Sequence, residues 1–105
     1  MPFEHHGSLS FSAICIEKNA PAASGVYGLS NAQRWIYVGE CADLKAELLS
    51  HLHETDPIVK AQVPTGFTYE LCVAANRIAR QNRLVLELEP IGNRQAGAIQ
   101  QSGGK

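Results

Sequence analysis

The chain has 105 residues, the size of one domain with one core, and its 45% hydrophobic and 18% charged content excludes a chain disordered throughout. No apolar run approaches the roughly 20 residues a bilayer span needs, and Met-Pro-Phe-Glu-His-His lacks the charged and apolar regions of a signal peptide, so no membrane partner is expected and the cytoplasm is the expected location. A net charge of -1 and a pI near 6.4 argue against a strong general nucleic-acid binder, because that binding is carried by lysines and arginines that displace counterions.

Taken in chain order, Leu9 to Ile16 alternate loosely enough to predict a strand, and Asn19 to Ser24, with Pro21 among small residues, reads as a linker. Gly25 to Leu29 and Trp35 to Gly39 are β-branched and aromatic runs around a polar stretch, which predicts a hairpin. Asp43 is placed to cap a helix whose Leu44, Leu48 and Leu52 recur at i, i+4, i+8 and which should end near Glu54, ahead of Pro57. Phe67, Tyr69, Leu71 and Val73 alternate with polar residues as a strand does. Ala74 to about Leu88 are strong helix formers, with Ile78, Val85 and Leu88 on one side, Arg77, Arg80 and Arg83 on another, and Pro90 as the stop. The class is α/β or α+β, with a small antiparallel sheet of about three strands flanked by helices. The expected division is a strand and linker over 1–24, a domain over 25–93 and a mobile tail over 94–105.

Cys15, Cys41 and Cys72 are odd in number, widely spaced and without a Cys-x-x-Cys pair, so they predict reduced thiols rather than disulfides or a thiolate zinc site. His51 and His53 point apart on a helix and do not share one metal.

At Gly25-Val26-Tyr27 and Tyr37-Val38-Gly39 the chain resembles the GIY-YIG superfamily of nucleases. The resemblance continues through Asp43-Leu44, Leu48, His51 and Leu52 and closes at Leu84-Val85, Pro90 and Asn93, so it covers about residues 25–93. It implies a compact sheet-and-helix fold, a cleft lined by a tyrosine from each tripeptide, an arginine on the first helix against the scissile phosphate, and a glutamate on the later helix that binds a divalent metal. Carried over, Tyr27 and Tyr37 match the tyrosines, His51 a histidine found in some members, and Asn93 the late asparagine. The arginine position is Glu47 and the glutamate position is Gln81.

Both departures remove charge. A phosphate about 4 Å from a cation gains roughly 4 kcal/mol at an effective dielectric near 20, and a carboxylate there reverses the sign. At about 1.4 kcal/mol per tenfold in rate, that reversal alone amounts to several powers of ten. Gln81 keeps the shape of a glutamate without the charge that Mg²⁺ asks of its protein ligands.

Three functions follow. The first is an inactive nuclease-like domain serving as a binding module, without a cofactor, whose nucleic-acid contact is weak and runs through Arg77, Arg80 and Arg83. The second is a rewired nuclease in which Glu47 holds Mg²⁺ and Arg77 supplies the cation. The third is a protein-interaction domain with no nucleic-acid role. Each residue also has a plain reading: strand aromatics for the tyrosines, a local i, i+4 pair for Glu47 and His51, and a solvated helix face for the arginines. Glu47 and Gln81 are expected to face each other, or nearly so, across one pocket, and Tyr37 to be substantially buried with its hydroxyl reaching the cleft.

Overall fold

A computed structural model describes residues 9–53 and 56–93. Its elements are β1 (Leu9–Ser10), α1 (Ala13–Asn19), β2 (Gly25–Ser30), β3 (Trp35–Cys41), α2 (Leu44–His51), α3 (Pro57–Ala61), β4 (Gly66–Leu71) and α4 (Ala74–Leu88). The four strands form one antiparallel sheet in the order β1-β4-β2-β3, flanked by helices, an α+β architecture. The three longer strands are those read from the sequence, and β1 is a two-residue addition at the edge of β4. Among the described residues no helix is long and apolar enough to cross a membrane.

Period-2 alternation in β2 divides the core. Tyr27 and Leu29 join Ile36, Phe67, Ile16, Ala20, Leu44, Leu48 and Val59 on the face covered by α1, α2 and α3. Val26, with Val38, faces the other way and meets Leu84 of α4. Opposite Leu29 and Ser30 the register slips, since Leu29 pairs with Tyr37 and Ser30 with Trp35. Ile36 is therefore the extra residue of a bulge. The bulge lets Ile36 and Tyr37 both pack on the first core, while Trp35 packs on the second.

The expected strand over Leu9 to Ile16 stops at Ser10. Ser12 turns the chain into α1 as its N-cap, accepting a hydrogen bond from the Cys15 N–H at 3.3 Å. Helical spacing then buries Ile16 and Ala20 and leaves Ile14 81% exposed, which the loose alternation does not anticipate. Ile16 and Ala20 are thus packed into the core, and the segment expected to be a linker is tied to α2: the Leu44 and Lys45 N–H groups donate to the carbonyls of Ala23 and Pro21.

Asp43 caps α2 through Ala46 N–H, and Leu44 and Leu48 are fully buried, as the leucine stripe predicts. The helix ends at His51, three residues sooner than expected, with Leu52 as its C-cap. The short α3 is an addition to the expected elements, although Asp56 as N-cap and Pro57 in the first turn are its sequence signature. The tail over 94–105 lies outside the described residues.

Helix α4 has the bounds that propensity and Pro90 indicate, but a different inward face. Leu84 is fully buried, Val85 and Leu88 pack beside it, and Ile78 is 63% exposed. Arg77 and Arg80 turn toward the sheet, so the three arginines are not one solvated face. The reason lies beneath the helix, where β3 and β4 present Glu40 and Glu70 on the side facing α4.

Candidate functional site

Tyr27, Tyr37, Gly39, Glu47 and His51 converge on the face of the sheet covered by α2. Tyr27 and Gly39 are register partners across β2 and β3, and the Tyr27 ring lies over the glycine. A Cβ at position 39 would stand 2.6 Å from the phenol oxygen and 2.7 Å from Cζ, so only glycine allows this packing. The Tyr27, Tyr37 and His51 rings form a triangle, with centroids 6.2 Å apart for the two tyrosines and 5.4 and 5.6 Å from each to the histidine. Both tyrosines share one face, as the resemblance implies. Burial belongs to Tyr27, at 1% exposed, whereas Tyr37, expected to be the buried one, is only partly so.

The Tyr27 hydroxyl lies 2.7 Å from His51 Nε2 and 3.4 Å from Glu47 Oε2, and the histidine and carboxylate are 3.8 Å apart. A phenol has one proton to donate. Both contacts are satisfied when the phenol donates to Glu47 Oε2 and the imidazole, with its ring proton on Nε2, donates to the phenol oxygen. Burial pushes the Tyr27 phenol well above its ordinary pKa, and the nearby Tyr37, Glu47 and Cys41 add to the shift. It therefore keeps its proton at neutral pH. Burial, then the charge of Glu47, also pushes the half-buried Cys41 thiol up to about 11, so it is no thiolate nucleophile at neutral pH.

Asn93 serves the edge strand. Its Oδ1 accepts from Val38 N–H at 2.6 Å and its Nδ2 donates to the Val38 carbonyl at 2.8 Å. The chain reaches this position because Gly92 lies against β3, where a Cβ would stand 2.8 Å from the Ile36 carbonyl oxygen. Asn93→Ala should cost about 2 kcal/mol, from two hydrogen bonds and a strand left with unmatched polar groups. Urea denaturation checks this; an unchanged midpoint would assign the clamp no energetic role.

Gln81 sits elsewhere. It is partly buried on α4, which packs on the opposite face of the sheet from α2. No hydrogen bond joins it to Glu47 among the described residues, and the carboxylate's partners are Tyr27 and His51. The expected Glu47–Gln81 contact is thus not formed. Periodicity places each residue correctly on its helix but does not fix which face of the sheet each helix covers.

Two carboxylates that the sequence does not single out organise α4. Arg80 makes a two-pronged pair with Glu70, Nε to Oε2 at 2.8 Å and Nη2 to Oε1 at 2.9 Å. Arg77 Nε donates to Glu40 at 2.8 Å, and its Nη1 to Ser24 Oγ at 3.0 Å. Arg83 pairs loosely with Glu87 at 3.7 Å on the exposed side. The one signal that could have found them is parity, because Glu70 falls on the strand face opposite Phe67 and Tyr69 and so lies under a helix rather than in water.

Solved structures similar to this chain in fold include the GIY-YIG N-terminal endonuclease domain of UvrC from Thermotoga maritima bound to magnesium, its catalytic divalent cation. That domain shares 22% identity, with 71% of this chain and 91% of that one covered and a TM-score of 0.59. A tyrosine-to-phenylalanine point mutant of the same domain matches at 21% identity, covering 71% and 90%, with a TM-score of 0.59. No protein-family profile matches the sequence, and no curated protein matches it. The chain therefore has the GIY-YIG endonuclease-domain fold.

Proposed function

We propose that this domain is a GIY-YIG-like module that binds without cutting, a nuclease fold whose cleft has been converted into a structural contact. The observation that carries this reading is the Glu47 carboxylate, held beside the Tyr27 hydroxyl and His51 at the place where the resemblance implies a phosphate-binding arginine. Burial, together with the neighbouring Tyr37 and Glu47, holds the Tyr27 phenol in its protonated form, which disfavours it as a base toward an attacking water. The negative charge beside it opposes the approach of a phosphate.

The residues do not fit a resident Mg²⁺. The ion asks for carboxylate and water oxygens in near-octahedral array. Here Gln81 is uncharged, both ends of the Asn93 amide are spent on Val38, and Glu47 Oε2 is engaged with Tyr27. Among the described residues no group of three His, Cys, Asp or Glu side chains converges as a metal cluster. The rewired-nuclease reading is disfavoured on its other leg too, because Arg77 is committed to Glu40 and Ser24 on the α4 side.

Nucleic acid is the partner class that the fold brings to mind, and contact with it should be weak. Arg77 and Arg80 can reach a phosphate only by giving up Glu40 and Glu70. Purified protein with Mg²⁺ or Mn²⁺ should leave duplex, branched and single-stranded DNA uncut on a gel. Cleavage that vanishes in Glu47→Ala would overturn the proposal and establish the rewired site. A protein-interaction domain stands as the second reading because α4 turns Ile78 and Leu86 outward, 63% and 75% exposed.

A further inference from the structure

We infer that a second site lies where β3 begins and α4 ends: a cavity that takes a nucleobase on Trp35 with the adjoining phosphate on Arg34. The inference rests on the binding-module reading above and gives it a location away from the Tyr27 cleft.

The cavity has a volume of about 470 Å³ and is lined by Gln33, Arg34, Trp35, Leu88, Glu89 and Ile91. Small-molecule sites fall at roughly 300–1,000 Å³, so a nucleotide-sized ligand fits its scale. The bulge after Trp35 gives the wall its composition. By inserting Ile36, it lets Trp35 pack with Val26, Val38 and Leu84 on the α4 side while Tyr37 keeps to the other. Trp35 is thereby held by the core yet only partly buried, and still lines the cavity. The opposite wall is fixed as well, because α4 ends on Glu89 in the left-handed region at φ 47°, with its N–H donating to the Val85 carbonyl. That turn brings Glu89 and Ile91 around the end of the helix.

Charge selects the ligand. Four arginines lie among the described residues; Arg77, Arg80 and Arg83 are paired with glutamates, and no carboxylate of the described residues pairs with Arg34. Arg34 is exposed, while its backbone is fixed by Asn31, whose Oδ1 accepts from the Arg34 N–H at 3.0 Å. A guanidinium on a fixed turn beside an indole matches a phosphate next to a base: the ring supplies a stacking platform and the fork grips phosphate oxygens. Glu89 on the far wall repels the phosphate and so orients the ligand toward Arg34. Stacking tolerates any base and does not depend on net charge, which suits a chain with a formal charge of -1.

Trp35 is the chain's one tryptophan, so its emission reports the cavity directly. The full chain is titrated with a short unlabelled oligo(dC), in parallel with dCMP, while indole fluorescence is followed; a labelled oligo(dC) is followed by anisotropy. Saturable quenching is expected, with oligonucleotide affinity about tenfold or more weaker in Arg34→Ala and unchanged in Lys18→Ala, an exposed cation on α1. Trp35→Ala should abolish binding; because that residue also packs on the core, Arg34→Ala and the wild-type quenching carry the test if it fails to fold. Equal quenching by dCMP and oligonucleotide would assign the cavity to a free nucleotide, and stronger quenching by the oligonucleotide to a strand. Binding with unchanged emission, or affinity untouched by Arg34→Ala, overturns the inference. Failure of the binding-module reading is seen separately, as cut DNA on a gel.

Discussion

Arg80→Ala should be among the most damaging single substitutions in this domain, lowering the free energy of unfolding by about 2–4 kcal/mol. Glu70 is 8% exposed and lies beneath α4, and Arg80 answers it with two hydrogen bonds. Removing one partner of a buried pair leaves a charge without compensation, a loss of about 3–5 kcal/mol when burial is complete. The Arg80 side chain is 25% exposed, so water recovers part of that. Replacing both partners, Arg80→Met with Glu70→Leu, should restore most of the stability, since an apolar pair of similar volume carries no desolvation penalty. Arg83→Ala should change little, its pair being loose and exposed. Urea denaturation of these variants beside the parent decides the matter. If Arg80→Ala were no worse than Arg83→Ala, the Arg80–Glu70 pair would have no part in holding α4 to the sheet.

Gly39→Ala is the second large effect. The added methyl meets the Tyr27 ring at 2.6–2.7 Å. That ring is fully enclosed by Tyr37, His51 and the core and has nowhere to retreat. Overpacking of this kind costs about 1–3 kcal/mol. Tyr27→Phe should cost about 1–2 kcal/mol through the lost hydroxyl contacts to His51 and Glu47. Combined, the two should destabilise by less than their sum, because Tyr27→Phe removes the oxygen nearest the new methyl but leaves Cζ in its way. Strict additivity would mean that the ring does not lie over Gly39.

Much of this arrangement is legible in the sequence, and the gaps have physical causes. The hairpin, the Asp43 cap, the buried Leu44 and Leu48 and the span of α4 follow from local signals, namely β-branched runs, a cap, a 3.6-residue stripe and a terminal proline. The shared face of Tyr27 and Tyr37 is legible only through the resemblance, since counting along β3 without the bulge says nothing about where Tyr37 points. Helix α1 is hidden because Leu9 to Ile16 satisfies both periods loosely, and the outcome rests on one cap at Ser12. The inward turn of Arg77 and Arg80 is not local information at all. It depends on Glu40 and Glu70 lying under α4, which is a matter of sheet order. The Glu47–Gln81 contact that does not form has the same origin, since periodicity orients a side chain about its own helix and tertiary packing chooses the layer.

The Asn93 clamp has a consequence for how the molecule behaves among its own copies. β3 is the outer strand of the sheet, and an outer strand offers unsatisfied peptide groups to any extended chain that drifts alongside. Val38 lies at the middle of that strand, and the Asn93 carboxamide, acceptor and donor together, takes the place such an intruder would need. The side chain acts as a one-residue counterfeit of a neighbouring strand. In Asn93→Ala the sheet would be open at its centre to strand exchange and edge-to-edge polymerisation, so the variant's failure at high concentration would be loss of solubility as much as loss of stability.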